Sequence, residues 1–91
     1  MRISKIKVEK ILQKLDVNME ILPIDDVIDG IKVELEHGKR SKKTNITDDN
    51  LVKTLKIALA HFDECGPDYY IELKKMEKKL KKKWKEESIF N

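Results

Sequence analysis

The feature that most constrains the fold is a pair of apolar repeats near the carboxyl end, with the helix-breaking pair Gly66-Pro67 in the short segment between them. In the first repeat apolar residues recur three or four positions apart, as one face of an α-helix requires, at Leu51, Leu55, Ala58, Leu59 and Phe62. The second repeat has similar spacing, at Tyr69, Leu73, Met76, Leu80 and Trp84. So short a connection joins two helices only as an antiparallel hairpin, with the last helix beginning at Pro67 or Asp68. The sequence therefore predicts a C-terminal antiparallel helical hairpin.

Two further helices are predicted before the hairpin. The first runs from Ser4 to Leu15, with the serine as its amino-terminal cap. The second runs from Ile24 to His37, and Gly38 is expected to end it in a left-handed conformation. Within it, Gly30 leaves room for another helix to approach. Together these segments predict an all-α fold, a small four-helix domain that takes in the whole chain, residues 1–91.

The start of the third helix carries several local signals. Thr47 is expected to be its cap, with Asp48 and Asp49 at the positive end of the helix dipole. Ile46 is expected to pack against Leu51 as a hydrophobic staple.

Composition limits the core that these helices can form. Of the 91 residues, 41% are charged and 40% are apolar, which is typical of helices with one buried face and extensive solvated faces. Trp84 continues the apolar stripe of the last helix and is expected to be buried. Cys65 is the single cysteine, which excludes an intramolecular disulfide and a cysteine zinc cluster and favours a reducing compartment. We expect its side chain to be a small buried group.

No segment has the composition of a membrane span or a secretion signal. The chain has no apolar run approaching about 18 residues, and its amino end lacks the pattern of a signal peptide. The expected location is a virion or the cell interior, in the cytoplasm or nucleus, with no membrane contact.

A polar cluster is predicted around Glu34 and His37, which have the Glu-x-x-His spacing of metal ligands in di-iron helical bundles. On a helical wheel both residues border the apolar face of the second helix, and His61 borders that of the third. We expect Glu34 to accept hydrogen bonds from a histidine, from Tyr69 or from Tyr70, so that the cluster fixes how the helices pack.

The alternative is a metal-binding or hydrolytic domain centred on Glu34, His37 and His61, joined by Glu64 or Asp68. A di-iron site needs a second Glu-x-x-His pair, and the residue three before the second histidine is an alanine. The sequence also lacks a glycine-rich phosphate loop and a nucleophile elbow. We therefore expect no enzyme activity, no cofactor and no bound metal.

Two basic segments are candidates for contact with the DNA or RNA backbone. The first is a predicted surface loop and the second is the last helix; their basic residues are Lys39, Arg40, Lys42, Lys43, Lys74, Lys75, Lys78, Lys79, Lys81, Lys82, Lys83 and Lys85. Lysine neutralises phosphate without reading bases, so this binding should depend on salt and not on sequence. The structural alternative is a solvated face on which Glu72 and Glu77 pair with lysines one turn away.

Charge along the chain alternates in blocks that are basic, acidic, basic, acidic and basic. Blocks of this kind can face the opposite charge on another copy, so a homodimer is expected, helped by the small core and the long last helix. A helical adaptor for another protein is a further hypothesis, which an exposed apolar stripe at Trp84 or Phe90 would favour.

Three segments, GIKVELEHG, NITDDNLVKTLKIALAHF and PDYYIELKKME, together resemble a family of small uncharacterised proteins found in bacteria, phages and large DNA viruses. The resemblance covers about Asp26 to Glu77 and implies the helical hairpin and a shared polar signature. Residues that match this signature are Glu34, Glu36, His37, His61, Pro67, Asp68, Tyr69, Tyr70 and Glu77. The family brings no established activity.

The basic first helix and the lysine-rich tail stand outside the resemblance, and are similar to what a virion protein of a large DNA virus would use beside a packaged genome. The functional hypothesis is therefore a non-enzymatic structural or interaction protein, of viral origin, with a sequence-independent contact to nucleic acid.

Overall fold

The computed structural model describes residues 3–40, 42–46 and 50–84. These residues form four α-helices and no strand, which confirms the predicted all-α fold. The helices are α1 (Lys5–Lys14), α2 (Ile24–Arg40), α3 (Leu51–Cys65) and α4 (Tyr69–Trp84). Only three residues separate α3 from α4, and the two helices form the C-terminal antiparallel hairpin.

Helix α1 begins as the sequence predicts. The side chain of Ser4 accepts a hydrogen bond from the backbone N–H of Lys7 at 3.3 Å, which satisfies one of the free donors of the first turn. Val8 and Leu12 are fully buried one turn apart, so this helix is held by a single narrow stripe. Asp16 follows with φ of 56°, a left-handed residue that turns the chain towards α2.

Helix α2 is longer than predicted, because it continues through Gly38 to Arg40. The expected left-handed stop at this glycine is wrong; among the described glycines only Gly66 has a positive φ. A glycine inside a helix costs only about 1 kcal/mol, and Lys39 and Arg40 place positive charge where the helix dipole favours it.

Helix α3 begins with a cap that the sequence reading missed. The side chain of Asn50 accepts a hydrogen bond from Lys53 N–H at 3.0 Å, so the helix starts at Leu51. The predicted cap, Thr47, and the neighbouring Asp48 and Asp49 lie outside the described residues. Ile46 is 84% exposed, and the expected staple onto the first turn is therefore wrong.

The core lies where α2 crosses the other helices. Helix α2 packs most extensively on α3 and also contacts α1 and α4. The buried apolar residues of the core are Val8, Leu12, Leu22, Val27, Ile31, Val33, Leu35, Leu55, Ala58, Phe62 and Tyr70. Thr54 is a buried polar residue, and its hydroxyl is satisfied by donating to the carbonyl of Asn50 at 2.7 Å.

Helix α4 lies along α2 in the same direction, with Tyr70 beside Gly30 and Glu77 beside His37. Only its first turns are packed, and Trp84 is 55% exposed, so its predicted burial is wrong. The spacing of an apolar stripe shows which face of a helix it occupies, but not how far a neighbouring helix covers it.

The single cysteine is also exposed, contrary to the prediction that Cys65 would be buried. It occupies the last position of α3, just before the helix ends at Gly66. Phe62, one turn earlier, is the last buried residue of this helix.

Gly30 is the point of closest approach between α2 and its neighbours. A Cβ atom at this position would lie 2.7 Å from Cε2 of Tyr70 and 3.1 Å from Cε2 of Phe62. Both rings are buried and pack edge to face, so neither can move aside easily. We predict that Gly30→Ala lowers the free energy of unfolding by about 2 kcal/mol despite the better helix propensity of alanine, as measured by urea denaturation.

Gly38→Ala is the matched control on the same helix. The three heavy atoms nearest to its Cβ would all belong to the amide end of Asn45, with the oxygen at 3.0 Å. Because that contact is to the end of a side chain, we expect this variant to be unchanged or more stable by up to about 1 kcal/mol. Equal effects of the two substitutions would contradict the close approach at Gly30.

Candidate functional site

The centre of the polar cluster is Glu34, whose side chain is only 12% exposed. The hydroxyl of Tyr70 donates a hydrogen bond to Glu34 Oε2 at 3.0 Å. His61 Nε2 lies 3.6 Å from the same oxygen, and His37 Nδ1 lies 3.4 Å from Oε1. One carboxylate on α2 thus contacts side chains of α3, α4 and its own helix.

His37 extends the cluster outward along α4. Its Nε2 lies 3.2 Å from Oε2 of Glu77, while its Nδ1 faces Glu34. The ring is therefore placed between two carboxylates, one on α2 and one on α4. It is 48% exposed, so water reaches this end of the cluster.

Aromatic rings pack together at the other end of the polar cluster. The ring of His61 stacks on Tyr69, with centroids 4.6 Å apart and planes within 4°. Tyr70 meets the rings of His61, Phe62 and Tyr69 edge to face. Such arrangements stabilise packed aromatic groups beyond the area that they bury. Tyr69 therefore joins the cluster through its ring, and the tyrosine that hydrogen-bonds Glu34 is Tyr70.

Burial and the Glu34 carboxylate determine the protonation of the tyrosines. Desolvation, followed by the negative charge of Glu34, raises the pKa of Tyr70 well above its ordinary value of 10.0. The same two causes raise the pKa of Tyr69. Both phenols are thus fixed in the protonated form, and Tyr70 acts as a hydrogen-bond donor.

The geometry of the cluster differs from that of a metal half-site. His37 directs its two ring nitrogens at two different carboxylates, and His61 shares one oxygen of Glu34 with a tyrosine hydroxyl. Within residues 3–40, 42–46 and 50–84 no three histidine, cysteine, aspartate or glutamate residues are grouped to hold a metal ion. The other ligands considered, Glu64 and Asp68, are exposed.

Sequence reasoning left Glu77 out of the cluster, although it matched the polar signature of the resemblance. The signal that would have found it is register: Glu77 is seven residues after Tyr70, close to two helical turns, and so faces α2 on the same side. Phe62 was assigned only to the core, yet its ring also contacts Tyr70.

A groove with four basic side chains lies between the carboxyl-terminal half of α2 and α4. We call it the basic groove; its lining residues are Val33, Glu36, His37, Arg40, Lys74, Glu77, Lys78, Lys81 and Trp84. Of the other predicted contact residues, Lys39 lies in the last turn of α2, and Lys42 and Lys43 follow in an exposed turn.

The remaining lysines of α4 lie outside the groove. Lys79, Lys82 and Lys83 are exposed on other faces, and Lys75 forms an ion pair with Glu72 at 3.2 Å. Lys85 is outside the described residues.

Comparison with known protein families identifies a matching family. The profile of a family described as protein of unknown function, DUF5661, matches residues 8–79. The chain belongs to this DUF5661 family. No curated protein and no solved structure matches the chain.

The match defines which parts of this DUF5661 protein are shared with its family. It includes every residue of the polar cluster and most of α1, which corrects the expectation that the first helix is an addition to the family pattern. It ends at Lys79, so the last turn of the described α4 lies beyond it. In the described part of the DUF5661 protein, no helix is both long and apolar enough to cross a membrane.

The hydrogen bond from Tyr70 to Glu34 should contribute to stability. We predict that Tyr70→Phe lowers the free energy of unfolding by about 2 kcal/mol, because it removes a hydrogen bond to a charged and largely buried group. Tyr69→Phe is the control, since its hydroxyl has no hydrogen-bond partner in the described part of the chain, and should change stability by less than about 0.5 kcal/mol. Urea denaturation of both variants measures this difference, and equal losses would contradict it.

Alkaline pH should weaken the same contact. The pKa of Tyr70 is raised in the folded protein, so its contribution is complete below the ordinary value of 10.0 and is lost as the pH rises above it towards the folded value. We predict that the difference in unfolding free energy between wild type and Tyr70→Phe narrows as the pH rises from about 9 to about 11. A difference that is constant over this range would contradict the prediction.

Proposed function

We propose that this DUF5661 protein is a non-enzymatic interaction protein that binds the sugar-phosphate backbone of nucleic acid without reading its sequence. The observation that carries the proposal is the basic groove, where Arg40 from α2 and Lys74, Lys78 and Lys81 from α4 line one surface. Cations from two helices converge there, whereas a solvated helix face would bring together cations of one helix only.

The charge balance of the groove supports an anionic ligand. The three lysines are exposed and, among the described residues, none of them forms an ion pair. Of the two acidic residues in the groove, Glu77 already contacts His37. The groove therefore has an excess of positive charge, which attracts phosphate.

The residue types favour backbone contact over base recognition. Lysine presents a compact charge without the planar fork that arginine uses to read guanine. The basic groove has three lysines and one arginine, and the exposed Lys39, Lys42 and Lys79 add further lysine charge outside it. Binding through such groups releases counterions and weakens steeply as salt is added.

The polar cluster has a structural role in this proposal. Two contacts join α4 to α2, from Tyr70 to Glu34 and from Glu77 to His37, so the cluster holds the two walls of the basic groove at a fixed separation. The polar atoms of these side chains contact each other, which is consistent with a non-catalytic role.

The setting that we propose is a virion of a large DNA virus or the interior of a cell, where a packaged or free genome supplies the phosphate backbone. Self-association of the protein, as the alternating charge predicts, would multiply the number of grooves along one nucleic acid and increase its avidity.

The test is binding to a fluorescent duplex over a range of salt concentrations. We predict that the triple variant Lys74→Gln, Lys78→Gln, Lys81→Gln binds more weakly and that its slope of log affinity against log salt is smaller by about 3, roughly one per lost lysine. Duplexes of unrelated sequence should bind equally well.

The matched control removes three exposed lysines from another helix, with Lys7→Gln, Lys10→Gln and Lys14→Gln in α1. This variant has the same net charge as the first one, so a general charge effect would lower both affinities equally. Equal losses, or wild-type binding that does not respond to salt, would contradict the proposal.

A further inference from the structure

A stripe of apolar side chains on α4 occupies a different face of the helix from the lysines of the basic groove. We call it the α4 stripe, formed by Leu73, Met76 and Leu80. Leu73 packs partly on the core, but Met76 and Leu80 are 52% and 51% exposed. At about 100° per residue, the centre of the stripe lies roughly 130° around the helix from the groove lysines. The other α4 residues that line the groove, Glu77 and Trp84, lie roughly 50° to 70° from the centre of the stripe. A partner on the stripe would therefore leave the groove lysines accessible.

Charges of opposite sign occupy the two ends of α4. The end near the α3–α4 turn has four exposed acidic residues: Asp63, Glu64, Asp68 and Glu72. The other end has five exposed lysines: Lys78, Lys79, Lys81, Lys82 and Lys83. Asp68 and Lys82 are separated by about 21 Å along a helix, which is beyond the Debye length of about 8 Å at physiological salt. The two ends therefore cannot neutralise each other within one chain.

We infer that the α4 stripe binds the α4 stripe of a second copy in antiparallel orientation. This arrangement places the basic end of each helix beside the acidic end of the other, and the stripes meet near Met76. A parallel pair would place lysine against lysine along the whole carboxyl-terminal half. The complementary charge thus selects a second copy as the occupant and fixes its direction.

The antiparallel register pairs specific side chains. With the two-fold axis close to Met76, Leu73 of one copy lies near Leu80 of the other. Glu72 and Lys83 lie within about 20° of each other around the helix, on one flank of the stripe, and become neighbours across the axis. Within its own chain Glu72 contacts Lys75, but both side chains are largely exposed, so this ion pair is weak and Glu72 can exchange partners.

This inference rests on the self-association part of the proposed function and specifies its interface. The dimer is expected to form without nucleic acid. A contact made by one short helix from each copy buries less surface than a standard stable interface, so we expect a reversible dimer with a dissociation constant in the micromolar range. Because of the two-fold symmetry, each charge pair occurs twice in the dimer and contributes twice to its stability.

Sedimentation equilibrium without nucleic acid tests the stripe. We expect wild-type protein to pass from monomer to dimer as its concentration rises, and Met76→Gln with Leu80→Gln to remain monomeric. Both side chains are half exposed, so this variant should keep its fold, which circular dichroism would verify. A wild-type protein that stays monomeric up to millimolar concentration, or a variant that dimerises as wild type does, would overturn the inference.

A charge exchange tests the orientation. Glu72→Lys alone and Lys83→Glu alone should each weaken the dimer about tenfold, because each disrupts two symmetric pairs. The double variant should regain most of the wild-type affinity. Failure of the double variant to recover would overturn the antiparallel arrangement. Loss of the dimer with retained salt-dependent duplex binding would leave the nucleic-acid proposal standing.

Discussion

The structure depends on the close approach of α2 and α4 at Gly30, where the absence of a side chain lets the ring of Tyr70 reach the core. That position places the Tyr70 hydroxyl 3.0 Å from Glu34, so steric fit and a hydrogen bond specify the same arrangement. The carboxylate is largely buried, and leaving it without a donor would cost more than the bond itself contributes. This contact fixes the rotation of α4, and the positions of all the side chains that follow on it.

Fixing α4 determines both surfaces to which we assign a role. One side of the helix faces α2 and carries Lys74, Lys78 and Lys81 into the basic groove. Another side carries the α4 stripe, which no helix covers beyond Leu73 in the described part of the chain. In the proposed function the polar cluster acts indirectly, because it holds the helix that presents these surfaces. The match to the DUF5661 family, over residues 8–79, includes every residue of the cluster.

Local chemistry was sufficient to predict much of the fold. Apolar spacing predicted four helices, and the start at Ser4 and the end at Gly66 followed from capping rules. The errors came from tertiary context. Gly38 is compatible with a helix or a stop, and only its surroundings decide between them. The exposure of Trp84 depends on how much of α4 is covered, and the contact between His37 and Glu77 depends on which helix lies beside α2. Neither can be read from spacing within one helix.

The most direct test of the central claim is a double-mutant cycle between Glu34 and Tyr70. Unfolding free energies of wild type, Glu34→Ala, Tyr70→Phe and the double variant isolate the coupling between the two side chains. We predict a favourable coupling of about 1 to 2 kcal/mol, because each single variant leaves the other group without its partner. Strictly additive losses would show that the two side chains do not interact in the folded protein, and would contradict the claim that this contact fixes α4 on α2.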